Sequence, residues 1–128
     1  ISHSLTSVPG SSAYFLGSVI AYDNAVKTGV LDVKSGTLET YGAVSEQVAI
    51  EMAENVKKLL KSDYSIATTG IAGPSGGSPE KPVGTVWIAV SGPDFTLARK
   101  FNLGRDRLRI IQAAASTALN MLRKSMLK

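Results

Sequence analysis

A run rich in glycine and proline, residues 70–82, most constrains how this chain can fold. Two apolar, β-branched segments flank it, Tyr64–Thr69 before and Val83–Val90 after. Because glycine and proline interrupt regular structure, the run predicts a loop that joins two strands. A loop after a buried strand lies at the edge where α/β proteins place ligands, and its N–H groups could bind an anion. A plain surface turn explains the same composition, and the run contains neither a GxxxxGK[ST] nor a GxGxxG string.

The remaining elements follow from hydrophobic periodicity and capping residues. The spacing predicts a buried strand over Gly17–Tyr22, short helices over Asn24–Val30 and Ser35–Tyr41, a longer helix capped by Ser45, a strand over Phe95–Asn102 and a last helix over about Asp106–Met126. Ser91–Asp94 suits a hairpin turn. This order predicts one α/β domain over residues 1–128, a three-layer sandwich with a mixed β-sheet flanked by helices.

The last helix carries an apolar stripe that we expect to face the core. The stripe comprises Leu108, Ile111, Ala115, Leu119, Leu122 and Met126. In the sheet, Trp87 lies in a predicted central strand, and we expect it to be a core residue and not a platform on which a ligand stacks. The alanines at 113, 114, 115 and 118 would allow close packing against a partner copy or against the sheet, and we expect a homo-oligomer.

Composition excludes several kinds of chemistry. Hydrophobic residues make up 44% and charged residues 19% of the 128, which is typical of a globular domain. The absence of cysteine excludes a disulfide scaffold, a thiolate nucleophile and a cysteine-ligated metal. His3 is the single histidine, so an HExxH zinc site is excluded and a Ser-His-Asp triad is not expected.

No segment has the unbroken apolar character of a membrane span. Residues 1–22 carry no formal charge but include six serines, one proline and two glycines. They also lack the basic start of a signal peptide, so we expect a cytoplasmic protein with no membrane partner. The first residue is Ile, which suggests that some sequence upstream has been lost.

Positive charge is concentrated near the C-terminus. Residues 99–128 hold eight basic residues against Asp106 alone. Such an end can attract nucleic acid or serve a single phosphate. Only Phe101 interleaves with these charges, so nucleic-acid binding is not favoured. The arginines at 105, 107 and 109 fit a solvated helix face, or one of them could fork a phosphate.

Ser12 and Lys27 flank the predicted strand Gly17–Tyr22 and could converge at one end of it. Ser12 follows a Pro9-Gly10 turn, and Lys27 lies just beyond the strand. A lysine can deprotonate a hydroxyl only when it is neutral, and burial lowers its pKa toward that state. The alternatives are a helix-capping serine and a solvated lysine. Tyr22 would be a buried strand-end aromatic or would orient Lys27.

Four strings in this chain resemble the C-terminal domain of the CinA (competence/damage-inducible) family. They read TSVPGSSAYF over 6–15, VIAYDNAVK over 19–27, YGAVSE over 41–46 and TGIAGPSGGSPEKPVGTVW over 69–87. The resemblance runs over nearly the whole chain. The family includes nicotinamide-nucleotide amidases, which hydrolyse the carboxamide of nicotinamide mononucleotide to the acid and ammonia. It implies a nucleotide substrate and no cofactor or metal.

The resemblance also implies roles for particular residues. Ser12 and Lys27 match a catalytic Ser/Lys dyad, and Tyr22 matches the aromatic that opens the lysine string. The loop glycines Gly70, Gly73, Gly76 and Gly77 would hold the nucleotide. An arginine before the last helix would assist; Arg107 is preferred after a one-residue slip in the family string, with Arg105 as the alternative.

The family also carries an AES-x-TGG-like string just before the point that matches Ile1. That string supplies a core strand and part of the substrate pocket, so an active enzyme is expected to have it upstream. The alternative function is a non-catalytic nucleotide-binding module of the same family. It would use the glycine loop and the basic helix without chemistry.

Overall fold

A computed structural model describes residues 1–127 of the chain. It contains the helices α1 (Ser2–Thr6), α2 (Asn24–Gly29), α3 (Ser35–Tyr41), α4 (Glu46–Leu60) and α5 (Arg107–Met126), and the strands β1 (Ser65–Gly70), β2 (Thr85–Ser91) and β3 (Thr96–Asn102). A short 3-10 turn covers Ser11–Ala13. The predicted helices and the three strands that follow residue 64 are therefore confirmed to within a few residues.

The sheet is antiparallel, with β2 between β1 and β3. Trp87 in β2 pairs with Thr69 on one side and with Lys100 on the other. The predicted mixed sheet is wrong, because all three strands follow one another along the chain and pair as neighbours. Parallel pairing needs a crossover connection, which is usually a helix, whereas the residues between β1 and β2 form a loop without one.

The predicted buried strand over Gly17–Tyr22 is also wrong. This stretch is extended, but its backbone joins no sheet among residues 1–127. Val19 and Ala21 pack against the core, while Ile20 and Tyr22 are 85% and 83% exposed. An apolar run predicts burial on both faces only when a neighbouring strand and a covering layer are present, and here one face lies open.

Helices cover both faces of the sheet. α4 packs on the face that presents Ala67 and Ala89, and α5 packs on the face that presents Val86, Ile88 and Val90. Side chains of a strand alternate between faces, so small residues on one side and large ones on the other follow directly from the sequence. Ser45 caps α4 as predicted, because its hydroxyl accepts a hydrogen bond from the Val48 N–H at 3.2 Å.

α5 is rotated from its predicted orientation by about one residue. Its buried residues are Ile110, Ala118, Met121 and Ser125, whereas Leu108 is 69% exposed. Two apolar stripes run along this helix, and the sequence pattern alone does not say which one meets the sheet.

Asp106 caps the helix by accepting from the Arg109 N–H at 3.1 Å, which fixes Arg107 in the first turn. None of the helices formed by residues 1–127 is long and apolar enough to cross a membrane.

Candidate active site

Lys27 is a buried lysine near the end of α2, with 6% of its surface exposed. Its Nζ donates a hydrogen bond to the Ala21 carbonyl at 2.8 Å. Desolvation lowers the pKa of Lys27 below 10.5, and the nearby Asp23 carboxylate opposes this only in part. Asp23 is itself engaged, since it caps α2 by accepting from the Ala25 N–H at 2.8 Å. The structure therefore holds an amine whose neutral form is favoured beyond that of an ordinary lysine.

Ser12 lies in the 3-10 turn that follows Gly10. Gly10 has a φ of 89°, a left-handed conformation that lets the chain turn sharply before the two serines. Ser11 is buried and Ser12 is exposed, so the hydroxyl of Ser12 is the one that a ligand can reach. Within residues 1–127, Ser12 Oγ is not hydrogen-bonded to Lys27, whose Nζ is bonded to Ala21.

Arg107 connects the chain before α2 with the glycine-rich loop. Its Nη1 donates to the Gly73 carbonyl, and its Nη2 lies 3.4 Å from the Tyr22 hydroxyl. The first contact is the stronger, because 3.4 Å is long for a hydrogen bond. Arg105 is exposed and is not part of this bridge. Tyr22, predicted as a buried strand-end aromatic, is instead exposed at the rim of a groove.

The groove has a volume of about 360 Å³ and lies between β1, β2 and the first half of α5. Apolar side chains of α5, among them Ile110 and Ala114, form one wall. Gly70, Tyr22 and Arg107 also line the groove. An apolar wall together with a cation suits a ligand with a flat ring and an anionic group.

Three glycines of the loop are required by close packing, and a Cβ at one of them, Gly77, would lie 2.7 Å from the Val83 backbone nitrogen. A Cβ at Gly70 would lie 2.8 Å from Val86 Cγ2, and one at Gly73 would lie 2.5 Å from Val83 Cγ1. Gly73 also has a φ of 75°, which disfavours other residues. Gly76 and Gly77 are exposed and do not line the groove. Of the four predicted glycines, Gly70 lines the groove, Gly73 is connected to it through the hydrogen bond from Arg107 to its carbonyl, and Gly76 and Gly77 lie outside it.

The α5 wall of the groove was not predicted. Ile111 and Ala115 were assigned to a core stripe, yet both line the groove, and Ile111 is 48% exposed. The second apolar stripe of α5 was the available signal. No group of three acidic or histidine side chains placed to hold a metal occurs in the described part of the chain.

Comparisons with known proteins place this geometry among its relatives. A family model described as the CinA C-terminal domain matches residues 1–126. A CinA-like protein of Desulforapulum autotrophicum is 51% identical over 124 residues, covering 96% of this chain and 29% of that protein. A CinA-like protein of Fervidobacterium nodosum is 47% identical over 128 residues, covering all of this chain and 31% of that protein. The chain thus spans less than a third of the length of these relatives.

Solved structures show the same fold. The competence/damage-inducible protein CihA from Agrobacterium tumefaciens superimposes with a TM-score of 0.94 at 39% identity, over 96% of this chain and 76% of that one. The competence damage-inducible protein A from Klebsiella pneumoniae gives the same TM-score at 29% identity, over 98% and 78%.

Proposed function

This chain belongs to the CinA C-terminal domain family, and from that premise we propose that it is an amidase. Its substrate would be nicotinamide mononucleotide, whose carboxamide it hydrolyses to the carboxylate with release of ammonia. The observation that carries the proposal is Lys27, a buried lysine with a lowered pKa whose Nζ donates to the carbonyl of Ala21, the residue before the groove residue Tyr22. A solvated lysine would be protonated near neutral pH and could not accept a proton from a hydroxyl.

In the proposed reaction, Ser12 Oγ forms a bond to the carboxamide carbon while its proton passes to the lone pair of neutral Lys27. The hydrogen bond from Nζ to the Ala21 carbonyl uses an N–H and leaves that lone pair free. When the C–N bond breaks, Lys27 returns the proton to the leaving nitrogen, which departs as ammonia. Water then hydrolyses the ester on Ser12 and regenerates the hydroxyl.

The groove supports the choice of substrate. The pyridine ring would lie against the apolar wall that includes Ile110 and Ala114. The phosphate would be bound by Arg107, whose long contact with Tyr22 leaves one guanidinium edge available. We propose that loop N–H groups near Gly70 and Gly73 bind the anion, because Gly70 lines the groove and the Gly73 carbonyl is bonded to Arg107.

The test is ammonia release from nicotinamide mononucleotide by the purified full-length protein. Ser12→Ala is expected to abolish release, and Ser11→Ala, which changes the buried neighbouring hydroxyl, is expected to retain the nucleophile and measurable activity. Loss in both variants with a native circular dichroism spectrum would point away from Ser12 as nucleophile. Full activity in Ser12→Ala would overturn the dyad.

The second candidate function is a non-catalytic nucleotide-binding module. The exposed position of Ser12 and the engagement of Lys27 Nζ with Ala21 favour it, since these two groups are not bonded to each other. Calorimetric titration with nicotinamide mononucleotide separates the two functions. Binding without ammonia release in the full-length protein would favour the module.

A further inference from the structure

A second cavity, of about 290 Å³, lies near the N-terminal end of α4. Six side chains that line it are Tyr41, Glu46, Glu80, Lys81, Trp87 and Lys100. Trp87 packs partly against the core on the α4 side of the sheet, and Lys100 is its direct neighbour in the sheet register. The groove described above lies on the α5 side, so the two cavities are on opposite faces of the sheet.

We propose that this cavity is a second ligand site, which binds a nucleoside monophosphate. The first reason is Trp87, which was expected to be a core residue. It is half-buried: it packs against the core and also lines the cavity. The part of an indole that faces a cavity can bind flat aromatic rings by stacking and does so with any base. The site would therefore take the base on Trp87.

The second reason is a lysine held in place by three hydrogen bonds. The Lys81 N–H donates to Ser78 Oγ at 3.1 Å, and the Lys81 carbonyl accepts from the Ser78 N–H at 2.9 Å. The Lys81 ammonium donates to the Tyr41 carbonyl. Gly42 makes room for it, since a Cβ there would lie 3.0 Å from Lys81 Nζ. A fixed ammonium needs less ordering on binding than a free one, which favours capture of an anion.

The charge of the lining defines the anion. Lys81 and Lys100 supply two positive charges, and Glu46 and Glu80 supply two negative ones. Two ammonium groups match one phosphate monoester, whereas the carboxylates would repel further phosphates. The same carboxylates can accept hydrogen bonds from ribose hydroxyls or from an amino group of the base. The site should therefore prefer a monophosphate to a triphosphate.

Trp87 is the single tryptophan of the chain, so its fluorescence reports on this cavity directly. Titration of the full-length protein with AMP is expected to quench or shift the emission of Trp87. Adenosine and ribose 5-phosphate, which each keep half of the ligand, should bind at least tenfold more weakly, and ATP should bind more weakly than AMP. A protein that carries further tryptophans outside these residues is titrated with those changed to Phe.

Variants separate this site from the groove. Lys100→Ala should weaken AMP binding at least fivefold. Arg99→Ala removes a neighbouring charge on the other face of β3, and its affinity for AMP should stay within twofold of that of the unchanged protein. Arg107→Ala should leave the titration unchanged. The proposal is overturned if AMP gives neither a fluorescence change nor heat at millimolar concentration, if Lys100→Ala and Arg99→Ala have equal effects, or if Arg107→Ala abolishes the signal.

Discussion

Arg107→Ala tests how the groove recognises its substrate. The change removes the hydrogen bond to the Gly73 carbonyl and the long contact with Tyr22. Gly73 is buried, so its carbonyl loses a charged donor in a poorly solvated position. Leaving such a group unpaired costs about 1–3 kcal/mol. The Tyr22 contact contributes little, because it is long and exposed.

The same guanidinium is the proposed phosphate ligand, so catalysis should suffer as well. Losing a charge-assisted contact of roughly 1.4–2.8 kcal/mol corresponds to a decrease of about 10- to 100-fold in kcat/KM. The assay is ammonia release from nicotinamide mononucleotide, combined with urea unfolding of each variant. Arg107→Lys keeps the charge but loses the planar fork, and it should recover only part of the activity.

Arg105→Ala is the matched control, since it removes an exposed arginine two residues away. Its unfolding free energy should stay within about 0.5 kcal/mol of the unchanged protein. Its kcat/KM should change less than twofold. An Arg107→Ala enzyme with unchanged kcat/KM, or a larger loss in Arg105→Ala, would refute the assignment of the phosphate to Arg107.

The structure makes two further predictions, on Lys27 and on Gly73, and the sequence makes a third, on the oligomeric state. Burial lowers the pKa of Lys27, so between that pKa and 10.5 the unfolded state binds more protons than the folded state. The free energy of unfolding should therefore rise with pH in this window. Urea titrations of Lys27→Met should lack this rise, and a rise that persists in the variant would belong to another group. Gly73 and Gly76 both have a positive φ, of 75° and 92°. Only at Gly73 would a Cβ also clash with Val83, so Gly73→Ala should destabilise the fold by about 1–3 kcal/mol and Gly76→Ala by less in thermal unfolding; equal losses would contradict the packing argument. Light scattering should show a homo-oligomer of the full-length protein, and a monomer at micromolar concentration would contradict this expectation.

Local signals predicted most of the elements after residue 23. Ser45 and Asp106 cap the helices that they precede, and the apolar segments around the glycine loop form strands. These outcomes depend on neighbours in the sequence, which propensity and capping describe well. Arg107 lines the groove and Arg105 does not. The preference for Arg107 as the phosphate ligand comes from the family resemblance and stays a prediction.

The errors concern features that tertiary packing decides. The composition of Gly17–Tyr22 predicts a strand, but a strand also needs a partner strand to pair with. Val19 and Ala21 face the core while Ile20 and Tyr22 face outward, so one face of this extended segment is uncovered. α5 has two apolar stripes, and the direction from which the helix approaches the sheet decides which of them is buried. The predicted core position of Ile111 is wrong for this reason, because Ile111 lines the groove. The roles of Gly76 and Gly77 stay predictions, because the path of the loop places them outside the groove without testing what they bind.

In the proposed reaction the Ser12 hydroxyl attacks the substrate with neutral Lys27 as its base. Rapid quenching of the full-length protein with nicotinamide mononucleotide, followed by peptide mass spectrometry, looks for the acyl ester directly. An ester is expected on the peptide that holds Ser12, in an amount that falls as the pH decreases and that is lost in Lys27→Met. An ester on Ser11 or another residue, or an unchanged amount of ester on Ser12 in Lys27→Met, would contradict it.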